Sequence, residues 1–349
     1  LTHFRFLFSA VILAAGLLAI DSNGANFADS SSSEPTRTFE FTYQVHVPAN
    51  AGIVTSARLW IPLPQADSYQ EITQLHIDSP VAYSQGHDPE YDNTFAMFIP
   101  TARQIVAGFD VAMHFTATRR EHKSIVGGST PGTESANIPP VDAKLLQRYL
   151  QPDKLVPLNG EIAELAKAHT AGDTTQLQKA RHIYDYVVAN MRYDKSGEGW
   201  GRGDAVWACA SKRGNCTDFH SLLIGMMRAS GIPARFEIGF PLAEGKTQGD
   251  IPGYHCWAEF YLDGAGWIPV DASEARNNPA KRDYFFGAQD DNRVFFTYGR
   301  DIRLSPEQKG EPLNYFIYPY LEVNGLSSTN LQTHFSFRDV SMQRQTSAR

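Results

Sequence analysis

Cysteine is scarce: the 349 residues hold three, Cys209, Cys216 and Cys256. Three are far too few for a scaffold stapled by a disulfide framework. The odd number leaves at least one thiol unpaired even in an oxidising compartment. A basic excess is missing as well. Lys plus Arg total 31 against 38 Asp plus Glu, a net charge of −7, which argues against a general nucleic-acid binder, because phosphate contacts require a basic face. Long hydrophobic runs are also missing. Phe6 to Ile20 spans 15 apolar-rich residues, short of the roughly 20 that cross a bilayer. The paired C-x₂₋₄-C spacing of structural zinc does not occur. Cys209, Cys216, His255 and Cys256 make a poor substitute, since neighbours 255 and 256 point to opposite faces of a strand. No metal and no cofactor is expected.

What is present is enough apolar residue, 42% against 20% charged, for a sizeable core, and a length that suggests about two domains. Arg5 precedes the apolar run, and small or polar residues follow through Ala25 and Ala28. This is the layout of a secretory signal peptide over residues 1–28. It implies export to the periplasm or the medium, and no stable membrane insertion once the signal is cleaved. The Ser-rich residues 29–36 form a flexible tether.

Over residues 37–120 the pattern has period two. Phe39, Phe41, Tyr43, Val45 and Val47 alternate with polar residues, as do Ala57, Leu59, Ile61 and Leu63, and Phe109, Val111, Met113, Phe115 and Ala117. Ile72, Leu75 and Ile77 fit less cleanly. Several short strands with turns between them predict a β-sandwich. Residues 121–145 contain a Gly-, Ser-, Thr- and Pro-rich stretch and form a linker. The period then becomes helical: Leu177, Ala180, Ile183, Tyr184, Val187, Val188 and Met191 share one face, with Asp173 and Gln176 spaced as a capping box. Residues 281–349 form a β-rich C-terminal extension with a disordered tail. Its aromatics, Tyr284, Phe285, Phe286, Phe295, Phe296, Tyr315, Phe316, Tyr318 and Tyr320, suit a β core.

Chemistry concentrates in residues 146–280. Gly214-Asn215-Cys216-Thr217-Asp218-Phe219-His220 opens a second helical pattern that Gly231 and Pro233 end. Cys216 therefore sits at a helix N-terminus, where unsatisfied N–H groups and the helix dipole favour thiolate over thiol. Asp218 stabilises the same terminus, and His220 serves as a structural or surface partner. Tyr254 to Leu262 and Trp267 to Asp271 flank a turn at residues 263–266 and form a hairpin. A cysteine nucleophile needs a base, and the base needs a third group to fix its tautomer. Cys216, His255 and Asp271 supply those types. The hairpin sets a condition: Leu262 must pair with Gly266, or a bulge must intervene, because pairing with Trp267 would put Asp271 on the wrong face. Cys256 is expected buried on the face opposite His255, with a disulfide to Cys209 as one option.

These segments resemble a known family. Gly214 to Cys216 with Asp218, Ser221-Leu-Leu-Ile, Gly231-Ile-Pro-Ala-Arg235, His255-Cys-Trp-Ala-Glu259 and Trp267-Ile-Pro-Val-Asp271 look like the bacterial transglutaminase-like domain, which is distantly similar to papain-like cysteine proteases. The resemblance covers about residues 160–275. It implies an α+β fold: an N-terminal β-sandwich followed by a transglutaminase-like, papain-like α+β domain and the β-rich extension. It implies a Cys216–His255–Asp271 triad acting on protein or peptide substrates through a thioester. Hydrolysis of peptide or amide bonds is preferred; protein crosslinking and a non-catalytic envelope scaffold are the alternatives. The Cys216 N–H is one natural oxyanion donor. Trp200, Trp207 and Asn215 are further candidates to line the cleft or donate to the oxyanion.

Overall fold

The computed structural model describes residues 35–124, 142–304 and 308–340. The expected signal segment, nearly all of the tether, the middle of the linker and the end of the tail lie outside the described residues.

Strands form where the apolar residues alternate. Phe39, Phe41, Tyr43, Val45 and Val47 all lie on the strand Thr36–Val47 and are at most 1% exposed. Phe109–Arg120 repeats the pattern beside it, with Phe41 opposite Phe115. Gln70–Asp78 completes that side of the sheet, with its register shifted between Thr73 and His76. The shift is why Ile72, Leu75 and Ile77 break the period in sequence. In the strand Ala57–Pro62, Trp60 is as buried as Leu59 and Ile61. Leu59 and Ile61 enter the main core, while Trp60 joins a second apolar cluster with Tyr91, Phe95 and Tyr149. Both faces of this strand are covered.

The fold is α+β, with three larger antiparallel sheets, two two-stranded pairings and a separate cluster of helices among the described residues. One five-stranded sheet runs in the order Gln248–Asp250, Gln332–Asp339, Thr36–Val47, Phe109–Arg120, Gln70–Asp78. A second runs Leu326–Ser328, Tyr320–Val323, Ala57–Pro62, Thr94–Phe98, Tyr83–His87. Both draw strands from beyond residue 120 as well as from the 37–120 stretch. The third sheet has four strands, in the order Gly266–Val270, His255–Leu262, Ala234–Pro241, Arg293–Tyr298. It faces the first sheet through aromatic rings: Phe41 lies 5.5 Å from Phe240 and 5.9 Å from Phe296 between ring centroids. Gln70 adds two hydrogen bonds, donating to the Phe295 carbonyl at 2.8 Å and accepting from the Phe295 N–H at 2.8 Å.

On its other side the four-stranded sheet carries the helix Cys216–Ala229, around which Gly160–His169, Gln176–Asn190, Ala205–Ser211 and Ala272–Asn277 pack. Residues Cys216 through Arg228 of that central helix are all buried, so it is enclosed all round, where one apolar face was expected. The predicted amphipathic helix is Gln176–Asn190, with Ala180, Ile183, Tyr184, Val187 and Val188 buried. Its capping box is formed by Thr175 and Gln178, and not by Asp173 and Gln176. The Asp173 carboxylate pairs instead with His182 Nδ1 at 2.9 Å. No helix among the described residues is long and apolar enough to cross a membrane.

Candidate active site

Asn215 adopts an extended backbone (φ −96°, ψ −170°) and caps the central helix by accepting the Thr217 N–H at 2.9 Å. Asp218 answers from the first turn, accepting the Asn215 N–H at 2.9 Å. The Asp218 carboxylate also accepts the N–H groups of Gly201 at 2.7 Å and Gly203 at 2.9 Å. Burial raises its pKa, against the pull of those donors. The residue thus ties the glycine-rich loop 197–203 to the helix start, a larger role than its expected effect on the dipole. Gly214, with φ at +147°, leaves room for this: a Cβ there would fall 2.3 Å from Asp218 Oδ2. Cys216 follows as the first residue of the helix, 2% exposed.

The hairpin adopts the register that the triad requires. Leu262 pairs with Gly266 and Ala258 with Val270. The loop Asp263-Gly264-Ala265 has three residues, with Gly264 and Gly266 at φ +77° and +79°. Pro269 sits on the edge strand of the sheet, where a missing N–H does no harm. Continuing the register places Asp271 level with Trp257 and diagonal to His255. His255 Nε2 lies 2.7 Å from Asp271 Oδ2, leaving Nδ1 as the ring nitrogen for the thiol.

Asp271 is a hub. Its Oδ1 caps the helix Ala272–Asn277 by accepting the Glu274 N–H and the Ser273 hydroxyl, each at 2.9 Å. Its Oδ2 also receives Arg293 Nη1 at 3.3 Å. Burial opposes its charge, but His255, His220 and Arg293 outweigh that and hold the carboxyl well below its usual range. For His255, burial opposes the imidazolium, and the Asp271 carboxylate together with Cys216 raises the ring to about 10. For Cys216, burial opposes the thiolate, but hydrogen bonding from Cys256 and His255 and the charge of His255 hold the thiol well below its ordinary value. The arrangement favours an ion pair of thiolate and imidazolium over the neutral pair.

His220 is fully buried and not a surface partner. Its Nε2 accepts the Ala272 N–H at 3.2 Å, so its Nδ1 carries the proton and donates to the Cys216 carbonyl at 2.8 Å. It therefore fastens the helix that carries Cys216 to the one that Asp271 caps. Cys256 is fully buried on the helix-facing side of its strand, 3.8 Å from both Thr217 Oγ1 and His220 Nδ1. All three cysteines are free thiols, and Cys209 donates to Glu161 at 3.3 Å. The optional Cys209–Cys256 disulfide is thus not formed.

The remaining candidates have other partners. The Trp200 indole N–H donates to the Gly197 carbonyl at 3.1 Å. Trp207 is half-buried under the Arg213 guanidinium, 5.6 Å from the ring. Asn215 Nδ2 donates to the Tyr254 hydroxyl at 3.1 Å. The Cys216 N–H, first in its helix, has no carbonyl to meet within the helix. Arg293 and Tyr254 are residues that the sequence reading missed. Arg293 has no local signature; Tyr254, just before the strand that His255 opens, could have been suspected from position.

Residues 163–272 match the profile of the transglutaminase-like superfamily. An uncharacterized protein of Haemophilus influenzae is 28% identical over 353 residues, covering 90% of this chain and 93% of that protein. The uncharacterized protein YebA of Bacillus subtilis is 27% identical over 149 residues, 38% of this chain and 20% of YebA. Among solved structures, a candidate cysteine protease from Cytophaga hutchinsonii superposes with a TM-score of 0.58 at 17% identity, covering 88% of this chain and 92% of that one. That likeness extends the shared fold well beyond residues 163–272.

Proposed function

With residues 163–272 belonging to the transglutaminase-like superfamily, we propose that this protein is an exported cysteine acyl-transfer enzyme that hydrolyses peptide or amide bonds. The observation that carries the reading is the 2.7 Å contact between His255 Nε2 and Asp271 Oδ2, in a site that also favours the Cys216 thiolate. Cys216 Sγ attacks the carbonyl carbon of a peptide or side-chain amide. The Cys216 N–H is a donor for the oxyanion that develops. The imidazolium of His255 gives its proton to the leaving amine, and a thioester remains on Cys216. His255, now neutral, takes a proton from water as the water attacks the thioester, which frees the acid and restores the pair of Cys216 thiolate and His255 imidazolium. Asp271 keeps the ring oriented throughout and stabilises its charge. Water is the acceptor wherever nothing excludes it, which favours hydrolysis over crosslinking. The leader-like layout of residues 1–28 supports export to the periplasm or the medium.

One observation favours a different reading. Cys216 is 2% exposed, as expected if the fold were kept as a binding scaffold. The test uses the mature protein and its Cys216→Ser variant, with casein as a general substrate and a fluorescent primary amine as a competing acceptor. New peptide N-termini that require Cys216 support hydrolysis. Amine incorporated into casein identifies the crosslinking alternative. Neither product, with no Cys216-dependent acylation by reactive esters, identifies the scaffold.

A further inference from the structure

Far from the triad in sequence, the first five-stranded sheet assembles a second cluster of chemical groups on its outer face. His76 and His114 are cross-strand partners, and Asp78 lies two residues beyond His76 on the same side. The register shift between Thr73 and His76, with Gln74 at φ +54°, sets His76 opposite His114. Asp78 Oδ2 is 3.7 Å from His76 Nε2 and 3.8 Å from His114 Nε2, and the ligand atoms of the three residues lie within 4.8 Å of one another.

The other ring nitrogens show which way the lone pairs face. His76 Nδ1 is 3.3 Å from the Gln74 carbonyl oxygen. A carbonyl can only accept, so this nitrogen carries a proton and leaves Nε2, which faces Asp78, as the nitrogen that can bind a metal. His114 Nδ1 is 3.1 Å from the Thr42 hydroxyl on the neighbouring strand, which can accept its proton and so hold that ring in the same sense. Outer partners of this kind orient metal-binding histidines. Two imidazole Nε2 atoms and a carboxylate oxygen then face one another at distances too long for direct hydrogen bonds. That is the arrangement of a ligand set around a cation.

We propose that His76, His114 and Asp78 form a binding site for a divalent transition metal of the zinc class. With zinc–nitrogen and zinc–oxygen bonds of about 2.0–2.2 Å, tetrahedral ligand atoms stand about 3.4 Å apart. The Asp78 contacts need to close by a few tenths of an ångström, and the two imidazoles, stacked with centroids 5.0 Å apart, must turn their Nε2 atoms toward each other. His76 and Asp78 are well exposed, with side chains at 62% and 73%, and can move that far. Two imidazoles select zinc-class ions over calcium or magnesium, which prefer oxygen donors. Water fills the fourth position. The site opens into a depression of about 500 Å³ lined also by Glu40, Gln74 and Thr116.

The test is calorimetric titration of the chelator-treated full chain with Zn²⁺, with Co²⁺ as a spectroscopic probe. Wild type should bind one equivalent at this site, and Co²⁺ there should give a spectrum without a thiolate charge-transfer band. His114→Ala should abolish that binding, and Thr42→Val, which removes only the outer partner of His114, should weaken it about tenfold. Should His114→Ala fail to fold, the exposed His76→Ala replaces it. Unchanged binding in the ligand variants, no binding in wild type, or cobalt bands of a thiolate complex as the sole signal would each overturn the proposal.

Discussion

At the scale of single residues, the site turns on one carboxylate. Asp271 holds His255 by Oδ2 and caps the following helix by Oδ1. The proposed third member of the triad is thus also the cap of the next helix. Asp271→Asn keeps the shape and removes the charge, and by analogy with triads elsewhere should lower kcat by about 10³- to 10⁴-fold. A steady-state assay of the purified variant checks this, with circular dichroism to confirm the fold. Because the carboxyl is held below its usual range, its stabilising contribution is complete above the unfolded value of about 3.9 and fades as pH falls through the folded one. The stability gap between wild type and Asp271→Asn in urea should therefore shrink below about pH 4. His255 has the opposite sign. Its charge contributes fully below the unfolded value of about 6.5 and is lost as pH rises toward about 10. The general-acid form goes with it, so kcat/KM should fall as pH rises through about 10, as a pH–rate profile would show. The proposed triad residues stood out in sequence because each lies in a short motif with its own local context. Arg293 and the tautomer of His220 could not, since both depend on contacts made only after folding.

At the scale of elements, the helix start and the hairpin carry the site, and both have local chemistry that a sequence exposes. Asn215 and Asp218 have capping spacing, and Gly231 with Pro233 marks the stop. The Thr175–Gln178 box shows the limit of such reasoning. Two overlapping pairs satisfied the spacing, and only the extended backbone of Thr175 (φ −122°, ψ 153°) decides between them. The alternating glycines at 197, 199, 201 and 203, all at positive φ, were a visible sign of a constrained loop, though not of its carboxylate anchor. Gly214→Ala tests that anchor. A Cβ would strain a backbone at φ +147° and press on the Asp218 carboxylate. The expected loss is about 1–3 kcal/mol of stability, read as a lower midpoint in urea. Gly172→Ala, at φ +88° with nothing within 4 Å of its Cβ, is a comparison with backbone strain but no clash, and its loss should be smaller.

At the scale of the whole molecule, the sequence reveals least. Alternation announces strands without saying which strand pairs with which. Thr36–Val47 pairs with Gln332–Asp339, placing Phe41 opposite Phe337 and Tyr43 opposite Phe335, and no local signal joins residues nearly 300 positions apart. The aromatic residues of the C-terminal stretch suggested a β core; Phe295 and Phe296 lie on a strand of the four-stranded sheet and Tyr320 on one of the second five-stranded sheet, while Tyr284, Phe285, Phe286, Tyr315, Phe316 and Tyr318 lie between strands. Truncation before Gln332 should consequently strip two neighbours, Thr36–Val47 and Gln248–Asp250, of their common partner. The shortened chain should lose its cooperative melt and aggregate through the exposed edges, as calorimetry and size-exclusion chromatography would reveal.

The central claim is that Cys216 is a thiolate paired with His255, and alkylation measures it most directly. Rates of iodoacetamide labelling at Cys216, mapped by peptide mass across pH 5 to 8, would be compared among wild type, His255→Ala and Asp271→Ala. The account predicts fast labelling of wild type already at pH 6 and its loss in His255→Ala. Slow labelling that is equal in all three proteins and rises only toward about pH 8.5, as for an ordinary thiol, would contradict it.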